Sequence, residues 1–550
     1  MKHLKSLSAI FLATTVAVTG CNANNFDEEK SGLGETAKGG DLTILTSGTE
    51  MDMDPGKSQG LAITSLGLVA RRLTTWKIQP DATPEVVPDL ATDTGTPSED
   101  GKTWTFTLKD GVTFEDGTPI TSKDIKYGIE RSFAKELSGG LSYHKTLLKG
   151  AEKYAGPFDG KELDSIETPD DKTIVFHLNE AFGDWPWIAS MPAFTPVPKD
   201  KDKPAEYGNA PVASGPYRVE SNTPGTSMVL KRNDNWNQDT DKVRTAGPDT
   251  ITFKMSQDPT VAAQSLISDS SEAQTSFGAD FIPAAQLAQA QKNPSAKSRL
   301  VTSGDGALKY LAINTERISD ADVRKALNYA VDKNAVRIAS GGEISGSFAS
   351  TLISPGIPGR QDYNLYEAPD SGDAEKAKQL LEGKDVGTLT LLTSNDPISS
   401  AQAQAISQSL SKAGVKVRIK AEDSNSFLAD ATQGEGDYDL ALSSWQPDFP
   451  SANANIEPLF ASSQIGNGNY NISRYSNPKV DDMISKATHT IDDKEAQKLW
   501  AEVDKAIMED APVVPLMYTK NSFMHGSKVE NFIIGSFPAY PNYLKVSLSQ

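Results

Sequence analysis

The stretch DYDLALSSWQPDFP, from Asp437 to Pro450, combines a strand pattern with a turn that carries polar side chains. From Tyr438 to Leu442, apolar residues occupy every second position, which is the period of a β-strand. A proline-containing turn then breaks the pattern. The sequence therefore predicts a buried strand that ends beside Trp445 and Asp448.

The residues before this stretch repeat the same alternation of strand and helix. TLTLLTS (Thr388–Ser394) and VKVRIKA (Val415–Ala421) have strand patterns, and the segments 401–413 and 427–433 have helical ones. Successive strand–helix–strand units form right-handed crossovers and a parallel sheet. The sequence therefore predicts an α/β fold.

Parallel sheets of this kind bind ligands beside the carboxyl ends of their strands. Trp445, Gln446 and Asp448 follow one predicted strand, and Asn395 with Asp396 follows another. Because these ends meet at one edge of the sheet, we expect the side chains to line a ligand cavity.

The first residues have the pattern of an export signal. Lys2 and Lys5 precede an apolar segment, Leu7 to Val18, that is too short to span a bilayer. Val-Thr-Gly-Cys, ending at Cys21, resembles the lipobox of bacterial lipoproteins, in which the cysteine receives a lipid. The alternative is an ordinary secretion signal, but Cys21 is the only cysteine and cannot form an internal disulfide. We therefore expect residues 1–20 to be a signal peptide and Cys21 to be the lipidated residue.

Residues 21–37 are polar and rich in glycine, which is typical of a flexible tether. The whole chain of 550 residues is long enough for several domains. Its net charge of -19 disfavours nucleic acid or an anionic lipid surface as a partner. We expect an extracytoplasmic protein that the lipid alone attaches to the cell membrane.

Several motifs in a fixed order resemble one protein family. SEDGKTWTFTLKDGVTFEDGTPITSKDIKYGIERSF (Ser98–Phe133) alternates Trp, Phe and Leu as a strand, then turns, then begins a helix. Further matching motifs are ASGPYRVES (Ala213–Ser221), VLKRNDNWN (Val229–Asn237), DVRKALNYAVDKNAV (Asp322–Val336), Trp-x-x-Asp at Trp445 to Asp448, YSNPKVDDMISKA (Tyr475–Ala487) and APVVPLMYT (Ala511–Thr519). Together they resemble the family 5, or cluster C, solute-binding lipoproteins of bacterial ABC importers, of the oligopeptide- and dipeptide-binding type.

This resemblance implies an α/β, two-lobed periplasmic-binding-protein-like fold of type II, with an extra domain on the first lobe. The first lobe would comprise residues 38–56, 190–304 and 511–550. The extra domain would comprise residues 57–189, and the second lobe residues 305–510.

The resemblance also implies ligand-binding roles. In peptide-binding members, the aspartate at the position of Asp448 pairs with the α-ammonium group of the ligand. The other implied contacts, which bond the peptide backbone in strand fashion, are Ser444, Trp445, Gln446, Thr49 and Glu50. Without the resemblance, Asp448 could be a turn residue bonded to its own backbone and Trp445 could be a core residue.

One position departs from the family pattern. Dipeptide-binding members carry an arginine after the strand that corresponds to Thr388–Ser394, where it holds the ligand carboxylate. The chain has Asn395 there, so a carboxylate would lose a bidentate partner. Strict dipeptide specificity is therefore not expected. Arg360 or Arg324 could replace that arginine, although solvation at the surface is the simpler role for both.

Enzyme signatures are absent from the sequence. The five histidines have no zinc-type spacing, and the sequence has neither a GxSxG elbow nor a Walker loop. We therefore expect no catalytic residue, no metal site and no cofactor. A secreted hydrolase is the alternative from another class.

The combined expectation is a lipid-anchored, monomeric receptor that captures oligopeptides and delivers them to an ABC permease with a separate ATPase. The same fold could instead carry an oligosaccharide, a nickel chelate or an opine-like compound. A surface protein that senses peptides without importing them is a further alternative.

Overall fold

The computed structural model describes residues 37–57, 65–80, 82–137, 140–535 and 537–549. The predicted signal peptide, Cys21 and nearly all of the predicted tether fall in residues 1–36, which lie outside the described residues. Within the described ranges, no helix has both the length and the apolar content needed to cross a membrane.

One mixed sheet of five strands forms the first part of the fold. Its order is Ser276–Gly278, Asp41–Leu45, Thr250–Lys254, Ser227–Arg232 and Tyr217–Thr223. The Asp41–Leu45 strand runs parallel to both of its neighbours, and the remaining pairs are antiparallel. Buried side chains of this strand, including Leu42 and Ile44, pack into a core with Phe253 and Phe277.

A separate antiparallel sheet lies within the segment predicted to be the extra domain. Its order is Thr96–Pro97, Thr103–Thr107, Thr173–His177 and Ile166–Glu167. The helix Ser122–Arg131 begins at Thr121, where the side chains of Thr121 and Asp124 form a capping box. The strand Thr103–Thr107 and this helix confirm the strand and helix predicted within Ser98–Phe133.

A six-stranded sheet contains the stretch that opened the sequence analysis. Its order is Gly346–Phe348, Val513–Thr519, Leu308–Ile313, Leu440–Trp445, Thr388–Ser394 and Lys416–Glu422. The last three strands are mutually parallel, as the sequence predicted, whereas the first three join the sheet in antiparallel fashion. The residues from Leu440 to Leu442 are all buried because this central strand is covered on both faces.

The helices between the parallel strands are Pro397–Lys412 and Ser424–Thr432. Both begin a few residues before the predicted segments, because Asp396 and Asp423 cap their first turns with side-chain oxygens. The predicted motif Asp322–Val336 forms two helices, and Asp332 caps the second.

The remaining elements pack around these three sheets. The other helices are Tyr143–Leu147, Trp185–Ile188, Pro259–Ser268, Ala284–Lys292, Pro294–Lys297, Ala321–Ala330, Lys333–Ala339, Ala374–Leu381, Ala452–Phe460, Pro478–Thr488 and Asp493–Asp510. The other strand pairs are Thr74–Lys77 with Glu85–Pro88, Leu300–Thr302 with Ser522–Met524, and Val529–Glu530 with Ser547–Leu548.

One predicted boundary needs correction. The sequence analysis assigned residues 511–550 to the first lobe, but the strand Val513–Thr519 pairs with Leu308–Ile313 and Gly346–Phe348 in the six-stranded sheet. The chain leaves that sheet only after Thr519, because the register of the pairing includes that residue. The other lobe boundaries remain predictions.

Candidate binding site

A cavity of about 720 Å³ lies at the carboxyl end of the Leu440–Trp445 strand. Its walls come from the six-stranded sheet and the helices that follow it, and from the Tyr143–Leu147 helix. This helix belongs to the segment that contains the four-stranded antiparallel sheet, which we call the antiparallel domain. This volume is within the range of about 300–1,000 Å³ that is usual for small-ligand sites. The cavity therefore joins two parts of the chain that are far apart in sequence.

Asp448 lines this cavity and is partly buried. The Tyr143 hydroxyl donates a hydrogen bond of 2.6 Å to its Oδ2. Burial raises the pKa of Asp448 above the usual aspartate range, and the hydrogen bond from Tyr143 opposes that rise. Among the described residues, no lysine, arginine or histidine forms an ion pair with Asp448. No cation of the described residues therefore neutralises this carboxylate.

Trp445 forms one wall of the cavity. Its Nε1 donates to the Ala454 carbonyl at 2.7 Å, which fixes the orientation of the indole. The ring packs against Tyr470, with centroids 5.1 Å apart and planes inclined by 53°. Trp445 therefore contributes to packing and also presents an aromatic surface to the cavity.

Gln446 and Ser444 also line the cavity. The Gln446 Nε2 atom is buried and has no hydrogen-bond partner among the described residues. Buried amide donors normally have a partner, so this donor is unsatisfied in the described structure. Ser444 is exposed and lies opposite Lys309 in the sheet register.

Three predicted residues do not line this cavity. Asn395 is exposed, and its backbone N–H donates to the Glu422 carbonyl at 2.6 Å. The Thr49 carbonyl accepts from the Gly225 N–H at 2.6 Å, and Glu50 lines a separate cavity of about 90 Å³. The structure thus brings Asp448 together with Trp445, Gln446 and Ser444, but not with Asn395, Thr49 or Glu50.

The two arginines considered as carboxylate partners have structural contacts. Arg324 is buried and donates to the carbonyls of Ile318, Ser319 and Asp510. Arg360 donates to Thr351 and Ile353 and pairs with Asp362 at 2.6 Å. Arg324 is therefore not a solvated surface residue, and neither arginine lines the cavity.

Sequence reasoning missed Tyr143, Tyr470 and Glu457, all of which line the cavity. Tyr143 lies 305 residues before Asp448, and no local pattern links the two positions. Glu457 is on the helix Ala452–Phe460, directly after the Trp-x-x-Asp turn. Glu457 is the one charged residue of this helix, and that charge was the available signal for it.

A second contact between the antiparallel domain and the sheet that holds the cavity involves Asp184. The Ser451 hydroxyl donates to Asp184 Oδ2 at 2.6 Å. Burial raises the pKa of Asp184 to about 7, the bond from Ser451 opposes this, and the charges of Asp493 and Glu457 add to it. Asp184 therefore titrates near neutrality in the folded protein.

We expect Asp184→Asn to stabilise the protein at pH 8, because a raised folded-state pKa makes the ionised form unfavourable in the native state. In the wild type, the protonated Asp184 carboxyl contributes stability that is fully present below about pH 4 and is lost as the pH rises towards 7. The variant should gain up to about 4 kcal/mol in unfolding free energy at pH 8, since the pKa rises from 3.8 to about 7, and little at pH 4. Denaturant titrations of the variant and the wild type at both pH values measure the difference in unfolding free energy. An equal difference at pH 8 and pH 4 would contradict the raised pKa of Asp184.

The family model described as "Bacterial extracellular solute-binding proteins, family 5 Middle" matches residues 85–467. The chain belongs to this family. It is similar to the glutathione-binding protein GsiB of Salmonella typhimurium, with 30% identity over 452 residues, covering 80% of this chain and 82% of that protein.

Solved structures of family 5 proteins share the fold. The clavulanic acid biosynthesis oligopeptide binding protein 2 is 29% identical and has a TM-score of 0.86, with 94% of this chain and 97% of that chain covered. DppA from Helicobacter pylori, in complex with the peptide STSA, is 24% identical with a TM-score of 0.70, covering 94% and 99%. This second likeness shows the fold alone. The predicted two-lobed α/β fold of type II is thereby confirmed.

Family 5 proteins bind solutes for transport. Within the described ranges, no group of three or more histidine, cysteine, aspartate or glutamate side chains is arranged to hold a metal ion. The cavity instead offers a carboxylate, an amide donor and aromatic surfaces. This combination is suited to noncovalent binding of a cationic, hydrogen-bonding ligand.

Proposed function

We propose that this protein captures oligopeptides and delivers them to the permease of an ABC importer. The observation that carries the proposal is the partly buried Asp448 carboxylate, held by Tyr143 in a cavity of about 720 Å³ with no cation of its own among the described residues. A peptide α-ammonium group supplies that cation. A buried ammonium requires such a partner, because its desolvation is otherwise prohibitive.

Groups beside Asp448 are suited to a peptide backbone. The Gln446 Nε2 donor has no partner among the described residues and would bond a ligand carbonyl once its side chain turns into the cavity, and Ser444 provides a hydroxyl at the exposed end of the strand. Contacts with main-chain groups give affinity without selecting side chains. This supports binding of peptides of varied sequence, with Trp445 as an aromatic wall for the first residues.

The proposed mechanism is closure of the two lobes around the peptide. Ligand contacts from both sides favour the closed state, and the permease recognises that state. The Tyr143–Asp448 bond supports this mechanism because it links the antiparallel domain to the Trp-x-x-Asp turn. The protein would perform no covalent chemistry, and a separate ATPase would supply the energy. A lipid on Cys21 would hold this monomeric receptor on the outer face of the cell membrane.

The related proteins support a peptide-like ligand. One relative is named a glutathione-binding protein, and one structural neighbour is named an oligopeptide-binding protein. Glutathione is the second candidate because of that relative. It carries two carboxylates, however, and none of the described residues that line the cavity is lysine, arginine or histidine. The charges of the cavity therefore favour peptides over glutathione.

The test is mass spectrometry of small molecules that co-purify with the full chain. We expect short peptides of mixed sequence and similar length. Calorimetry with a free-amine pentapeptide, its N-acetylated form and glutathione then measures the ammonium contribution. Acetylation should weaken binding by about 100-fold, because it removes the cation that pairs with Asp448. A single sugar, opine or metal chelate, or equal affinity for the acetylated peptide, would refute the proposal.

A further inference from the structure

The cavity contains a second carboxylate in addition to Asp448. Glu457, on the helix Ala452–Phe460, lines the same cavity and is partly buried. Asn453 Nδ2 donates to its Oε2 at 2.9 Å. Burial holds the pKa of the Tyr143 hydroxyl well above the usual tyrosine range, and the charges of Asp448 and Glu457 both add to that rise. The two carboxylates therefore share one environment.

The cavity has no positive charge to balance these two groups. Its described lining includes no lysine, arginine or histidine. His489, whose charge acts on Glu457, is paired with Glu180 at 3.0 Å. Burial raises the pKa of Glu457, so its ionised form lacks full compensation within the protein.

Aromatic rings add a second property that favours cations. Tyr143, Trp445, Tyr470 and Phe427 all line the cavity. The face of an aromatic ring attracts ammonium and guanidinium groups, most strongly where water is excluded. A cavity with two carboxylates and an aromatic wall is therefore complementary to a ligand that carries two positive charges.

We propose that Glu457 selects peptides with a lysine or arginine within their first two residues. The α-ammonium group pairs with Asp448, and the basic side chain pairs with Glu457. This inference rests on the proposed function, in which a peptide N-terminus binds at Asp448. A neutral side chain would leave Glu457 desolvated without a partner, and this loss is the source of the selectivity.

Calorimetry with matched peptides tests the role of Glu457. Pentapeptides of one otherwise neutral sequence carry arginine or citrulline at position 1 or at position 2. Citrulline has nearly the same shape as arginine but no charge. The wild-type protein should prefer arginine by about 10- to 100-fold at one of these positions. Glu457→Gln should abolish this preference, since glutamine keeps an oxygen for Asn453 but lacks the charge.

Glu180→Gln is the matched control, because it removes the same charge near Glu457 from a residue that does not line the cavity. It should retain the preference. Peptides that bind with equal affinity whether they carry arginine or citrulline would overturn the inference and leave the proposed function intact. A preference that persists in Glu457→Gln would also overturn it.

The small dication agmatine separates the two hypotheses. If no peptide binds but agmatine binds to the wild-type protein and about 10-fold or more weakly to Glu457→Gln, the dication site stands and the peptide function fails. If agmatine and every peptide fail to bind, both are overturned.

Discussion

Asp448→Asn is expected to weaken the binding of a free-amine peptide by about 100-fold or more. The asparagine oxygen can still accept the 2.6 Å bond from Tyr143, so the turn should keep its geometry. The loss would come from the charge, because the ligand ammonium group would be desolvated without an ionic partner. Calorimetry with the same pentapeptide in free-amine and N-acetylated forms measures the change.

Asp437→Asn is a suitable control for this measurement. It removes the same charge from the same stretch, but the Asp437 side chain is 91% exposed and does not line the cavity. We expect its affinity for the peptide to change less than about twofold, because exposed charges contribute little. If Asp448→Asn weakens the acetylated peptide as much as the free amine, Asp448 is a structural turn residue and not the ammonium partner.

Asp89→Asn is expected to reduce the free energy of unfolding by about 3–5 kcal/mol at pH 7. Arg71 Nε donates to Asp89 Oδ1 at 2.8 Å, and Arg244 Nη2 donates to Oδ2 at 2.9 Å. All three side chains are at most 2% exposed. Without the carboxylate, two buried guanidinium groups would share only Asp241. Urea titration of the purified variant measures the loss.

The pH dependence gives a second check on Asp89. Burial alone would raise its pKa, but the charges of Arg244 and Arg71 outweigh burial and lower it to about 2. Because this pKa is depressed, the carboxylate stabilises the protein above about pH 4, and the effect is lost as the pH falls towards 2. The difference in the free energy of unfolding between the variant and the wild type should therefore become smaller as the pH falls from about 4 towards 2.

Asp171→Asn is the matched control for stability. Asp171 pairs with Lys123 at 3.0 Å, but the two side chains are 70% and 67% exposed. Removal of this pair should reduce the free energy of unfolding by less than about 1 kcal/mol. If Asp89→Asn lowers the free energy of unfolding no more than this control does, the buried ion pairs of Asp89 with Arg71 and Arg244 do not stabilise the protein.

Asp89 links segments that no short sequence pattern connects. It follows the strand Glu85–Pro88, whereas Arg244 precedes the strand Thr250–Lys254 of the five-stranded sheet. The Asp89 backbone carbonyl also accepts from Arg71 and Lys109. Because Asp89→Asn removes the ion pair between these two segments, we expect it to weaken the packing of the antiparallel domain against the five-stranded sheet.

The amino-acid sequence alone determined the parallel strands, the helices between them and the membership of family 5. Thr388–Ser394 is a strand with the predicted bounds. The prediction succeeds because the spacing of apolar residues reflects which side chains of a strand or helix are buried. The Trp-x-x-Asp motif likewise placed Asp448 beyond a strand end, although Trp445 itself is the last residue of that strand, Leu440–Trp445. Helix starts were less accurate, because capping by Asp396 outweighed the apolar pattern.

Only the tertiary structure decided which residues line the cavity. Asn395 was expected near Asp448, but Leu440–Trp445 pairs with its parallel neighbour Thr388–Ser394 at only two positions, so the two carboxyl ends diverge. Tyr143 reaches Asp448 from 305 residues away, and Glu457 reaches the same cavity from the following helix. Periodicity assigns a residue to a face of its own element. Which faces meet depends on how all the elements pack together, and no local pattern contains that information.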